Sequence, residues 1–134
     1  MIELPPLQEW LDKNTKEIDE MILFSKTPLD SDPNLLNEKG SEINAMQANA
    51  GYMLADVSWY LITEKAKAMR SIPESIIGPT LQKVYVEEKT AGLRRLRDEL
   101  KVLTVSLKNM AISVCSMRKS SYESTITRGI SGKI

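Results

Sequence analysis

No histidine occurs among the 134 residues. That one absence removes Ser-His-Asp and Cys-His nucleophilic sites, the helical HExxH zinc site and every zinc finger that uses histidine. The single cysteine, Cys115, rules out an intrachain disulfide and all-cysteine metal sites, which suits a reducing cytosol. At the edge of an apolar stripe it reads as a buried, inert thiol. Neither GxxxxGK(S/T) nor GxGxxG is present, and Gly129-Ile130-Ser131-Gly132-Lys133 has neither the spacing nor the following helix of a phosphate loop. Glu87-Glu88 and Asp98-Glu99 are helix neighbours that do not face each other as i, i+4 metal ligands would. The expectation is therefore a non-enzymatic protein with no catalytic residue, no metal and no cofactor.

Aromatic residues make up only 5% of the chain, too few for a base-stacking surface, and strand patterns are missing, which speaks against OB-type and RRM-type readers. Trp10, Trp59, Tyr52, Tyr60 and Tyr85 stand singly at helical positions and read as core or subunit-contact residues. Charged or polar residues interrupt every apolar run within about eight positions, against the ~18 needed to cross a bilayer. Met1-Ile2-Glu3-Leu4-Pro5-Pro6 lacks the basic-then-apolar layout of a signal peptide. A cytoplasmic protein that does not engage a membrane is expected.

What the chain does have is helical periodicity. Leu93, Leu96, Leu100, Leu103, Leu107, Met110, Val114 and Met117 alternate three- and four-residue steps, which keeps one stripe facing a partner helix through about seven turns. Upstream, Leu7, Leu11, Ile18, Met21 and Ile22 share one face of a first, acidic helix over 7–25. Asp32-Pro33 then starts a second helix over 34–70. One of its stripes holds Leu36, Ile43, Met46, Ala50, Met53, Val57 and Tyr60, and a second, nearly opposite, holds Ala55, Trp59, Ile62, Ala66 and Met69.

Ser71-Ile72-Pro73-Glu74 has capping-box spacing and predicts one helical turn before the chain reverses at Gly78-Pro79. A third helix is predicted over 79–122, with Val102, Val105 and Ile112 roughly opposite its main stripe, and 123–134 as a tail, disordered or extended. The resulting expectation is an all-α protein: a long antiparallel helical hairpin plus a shorter N-terminal helix, one domain over 1–134. Two long helices and a short one cannot cover four apolar faces, so a coiled-coil-like homo-oligomeric bundle is expected, with the 93–117 stripe as its core or subunit seam.

The net charge of zero hides an asymmetry. Residues 1–78 carry 7 basic and 13 acidic side chains, whereas residues 79–134 carry 11 basic and 5 acidic ones. Such charges neutralise each other if the halves fold together, or else the basic half holds a phosphate-bearing ligand. Arg94, Arg95, Arg97 and Lys101 form one candidate ligand cluster. Arg118, Lys119, Tyr122, Thr127 and Arg128 form a second, with hydroxyls suited to phosphate oxygens.

The segments Tyr60-Leu61-Ile62-Thr63-Glu64-Lys65-Ala66-Lys67-Ala68, Leu93-Arg94-Arg95-Leu96-Arg97-Asp98-Glu99-Leu100 and Met117-Arg118-Lys119-Ser120 together resemble small helical-hairpin accessory proteins of tailed bacteriophages. The resemblance implies a role in the host cytoplasm, in phage nucleic-acid metabolism or in countering bacterial defence, and supplies no functional residues. Two readings follow. In the first, an oligomeric accessory protein binds an anionic partner, nucleic acid or a signalling nucleotide. In the second, a structural or adaptor protein acts only through protein-protein contacts, with its own copies or a host protein.

Overall fold

Apolar positions three and four apart build four helices in this computed structural model, which describes residues 3–29 and 32–131, with the backbone alone at 33, 34 and 121–131. They are α1 (Leu7–Ser25), α2 (Pro33–Arg70), α3 (Pro79–Lys89) and α4 (Ala91–Ser131). No strand occurs among the described residues. Pro33 opens α2 where its missing N–H costs nothing, and the Asp32 carbonyl accepts from the N–H groups of Leu35 and Leu36.

The main stripes of α2 and α4 meet inside the chain. Ala50, Val57 and Leu61 cluster with Leu93, Leu100, Leu103 and Leu107, while Leu36 and Ile43 near the start of α2 cluster with Val114 towards the end of α4. The two helices therefore run antiparallel. Gly40 lets them come close, since a Cβ there would sit 3.4 Å from Val114 Cγ1. Helix α1 lies across this pair and contributes Trp10, Ile18 and Met21 to the same core.

Three expectations about helix boundaries require correction. The predicted helix over 79–122 is divided at Thr90, which sits at φ −109°, ψ 7° with its hydroxyl donating to the Val86 carbonyl at 2.9 Å. The chain bends there with Thr90 N–H still bonded to the Val86 carbonyl at 3.1 Å and Arg94 N–H to the Thr90 carbonyl at 3.0 Å, and Gly92 two residues on adds little helix propensity. Ser71 does not open a helical turn; its N–H and its hydroxyl both bond back to the Ala68 carbonyl and close α2, after which Ile76 N–H bonds to Pro73 O in a turn. Gly78, at φ +99°, then aims the chain into Pro79.

The third correction concerns the tail, because α4 stays helical to Ser131. A helix already some thirty residues long extends through serine and threonine without a new nucleation cost. Cys115 likewise departs from expectation: it is exposed. The stretch Ala91–Ser120 is long and apolar enough to cross a membrane by length and composition, contrary to the run-length reading. Its outer side mixes exposed Val102, Val105 and Ile112 with exposed Lys101 and Lys108.

An aromatic contact ties α1 to α2. Trp10 Nε1 donates to Asp56 Oδ2 at 3.1 Å, the Trp10 and Tyr60 rings meet edge-on at 5.9 Å, and the Tyr60 hydroxyl donates to the Pro5 carbonyl. Burial pushes the Tyr60 phenol above its ordinary pKa, and the charges of Asp56 and Glu9 push it the same way. The fold thus favours the neutral phenol, so its contribution is intact below about pH 10 and is lost as pH rises beyond that value. In urea titrations the native chain should lose stability above pH 10 more steeply than Tyr60→Phe does. Identical alkaline limbs would refute this.

Candidate interaction surfaces

The first basic cluster is largely absorbed by the fold. Arg94 Nη2 donates to the Glu87 carbonyl at 2.7 Å, which braces the bend between α3 and α4, and its Nε is buried without a partner among the described residues. Arg97 pairs with its neighbour Asp98 at 3.2 Å. A groove of about 830 Å³ is lined by Lys26, Arg94 and Arg95, but also by Asp19, Asp98 and Glu99. Three cations and three anions give it no net attraction for a phosphate. Lys101 is exposed beside it.

Arg118 lies over Gly40, with Nη1 3.7 Å from the position of a Cβ there, and Lys119 is exposed. The side chains of Tyr122, Thr127 and Arg128 lie outside the described residues, although their backbone belongs to α4. That helical backbone replaces the extended segment expected over 122–130. Lys101, Lys108 and Lys119 line one side of α4, exposed and with no ion pair among the described residues. Lys108 escaped the sequence reading. Its signal was the spacing of 7 and 11, which returns to the same helix face.

The apolar seam is spent within the chain. Leu93, Leu100, Leu103, Leu107 and Val114 are buried, and Leu96, Met110 and Met117 are half-buried against α1 and α2. Within the chain it serves as core.

The opposite side of α2 is different. Ala45, Ala48, Tyr52, Ala55, Trp59, Ile62, Ala66 and Met69 alternate three- and four-residue steps, and every one is exposed. Tyr52 is 73% exposed, Ile62 70%, Met69 61% and Trp59 50%. Five of these residues were expected as a second stripe; Ala45, Ala48 and Tyr52 extend it by nearly three turns. Because the inner face is filled by Ala50, Val57 and Leu61, a stripe offset by two residues points about 200° away, into solvent.

The stripe is held firmly from behind, since the Trp59 ring stands edge-on to buried Tyr60 at 5.3 Å and Tyr60 abuts Trp10. Its flanks are Asn44, Gly51, Ser58 and Lys65 on one side and Asn49, Asp56 and Thr63 on the other. On α4, Val102, Val105 and Ile112 are also exposed and form a shorter apolar strip. Comparison with protein-family models, curated protein sequences and solved structures finds no match to the chain.

Proposed function

We propose that this chain is a non-enzymatic helical assembly protein that acts through protein-protein contacts, with the outer stripe of α2 as its contact surface. The observation that carries the reading is the run of eight exposed apolar side chains at coiled-coil spacing. At about 1.5 Å per residue the stripe is about 36 Å long, and over a helix width of about 10 Å it covers about 360 Å² in projection. That is the size of the largest apolar patch on a typical monomer, a patch that is often functional. Each large side chain, half to three-quarters exposed, forgoes part of the roughly 1.5–3 kcal/mol that full burial gives.

Sedimentation equilibrium at micromolar concentration tests it. The native chain should sediment as a multiple of its 15.1 kDa mass, and Trp59→Lys/Ile62→Lys should sediment as one chain with unchanged helicity by circular dichroism. A native chain that sediments alone, or a doubly substituted one that still associates, would refute the reading.

The row of Lys101, Lys108 and Lys119, without an ion pair among the described residues, favours a second reading, in which a polyanion lies along α4. Such binding would weaken steeply with salt, whereas assembly through the α2 stripe would not. An accessory role of phage type rests on the resemblance of residues 60–68, 93–100 and 117–120, and the contact surface does not depend on it.

A further inference from the structure

Resting on the contact surface just described, we infer that its occupant is a second copy of the same stripe, running antiparallel and centred on Val57. In an antiparallel pair each position of the repeat meets the complementary position of the other helix. Here that puts Trp59 on the partner's Ala55, and Met69 on the partner's Ala45. Trp59 and Met69 thus fall opposite alanines, as interdigitated layers require, while the other two layers pair side chains of like size. Tyr52 meets the partner's Ile62, and Ala48 meets the partner's Ala66.

Charge selects the same direction. Antiparallel pairing sets Glu42 beside the partner's Arg70 at both ends of the interface, whereas parallel pairing would set Lys65 beside the partner's Arg70 and Trp59 against the partner's Trp59. Near the two-fold axis Asp56 faces its own copy, but its carboxylate is turned towards α1, where Trp10 holds it. Helix α1 reaches α2 on the side of Asp56 and of Asn49, which donates to Glu17, and so leaves the stripe open. Gly51 has no atom within 4 Å of a would-be Cβ, so the flank of the stripe is open at that point.

Disulfide capture tests the direction, in a Cys115→Ser background because the native thiol is exposed. Ala45→Cys and Met69→Cys chains are oxidised separately and mixed. The mixture should yield a cross-linked dimer and neither chain alone should, because same-numbered residues of the antiparallel pair lie about 36 Å apart, far beyond disulfide reach. Cross-linking of each chain with itself would overturn the antiparallel pairing and leave the contact surface intact. A dimer by sedimentation with no cross-link in any sample would also overturn it. A chain that sediments alone removes both.

A charge exchange gives a second, independent reading. Glu42→Arg and Arg70→Glu should each raise the dimer dissociation constant about three- to tenfold, and their combination should restore it. Lack of restoration would count against the pairing.

Discussion

Replacing Leu100 by alanine should remove about 3–4 kcal/mol of folding stability, while Val102→Ala, two residues away, should change it by less than about 0.5 kcal/mol. Leu100 is 0% exposed and packs where α2 and α4 meet; Val102 is 67% exposed on the outer side of the same helix. The larger loss combines removal of buried methyl groups with a cavity that Val57, Leu103 and Leu107 can only partly close. Against a typical total of 5–15 kcal/mol, Leu100→Ala should lower the urea midpoint markedly with an unchanged slope. Equal losses at the two positions would mean that α4 is rotated from the orientation described.

This contrast also shows how far the sequence could be read. Periodicity located α1 within its observed bounds and α2 to within one residue, because apolar steps of three and four against a charged background have few other solutions. It also separated Leu100 from Val102. What it could not rank was which of two stripes finds cover inside the chain. Both stripes of α2 have coiled-coil spacing; only the packing of α4 and α1 against Ala50, Val57 and Leu61 distinguishes them.

The misread segments share a cause. Thr90, Ser71 and the residues beyond Tyr122 are places where a hydroxyl side chain can serve either the helix or its end. Thr90 and Ser71 send their hydroxyls backwards to carbonyls of the preceding turn where helices end, but Thr15, Ser58 and Thr63 do the same inside helices, so residue type alone does not mark an end. Beyond Tyr122 the helix continues because it is already formed. The basic clusters were visible as charges, but whether Arg94 serves a ligand or the Glu87 carbonyl is decided by the bend at Thr90, which periodicity did not reveal.

Trp10→Ala should cost about 3–5 kcal/mol and release α1 from the other helices. Trp10 is 3% exposed, stands edge-on to Tyr60 and donates to Asp56. The remaining buried anchors of α1, Ile18 and Met21, both lie in its second half. Amide exchange should therefore accelerate first over residues 7–17, with the α2 and α4 core protected longer, since local opening follows the loss of buried contacts. Trp10→Phe keeps a ring against Tyr60 but gives up the indole N–H, and should recover more than half of the loss. Trp59 is then the sole indole in either variant, and its exposed ring reports directly on the outer stripe of α2. Its emission should shift to the blue as concentration rises if the stripe is covered on assembly. Emission independent of concentration, with the chain associated by sedimentation, would place the contact elsewhere on the molecule.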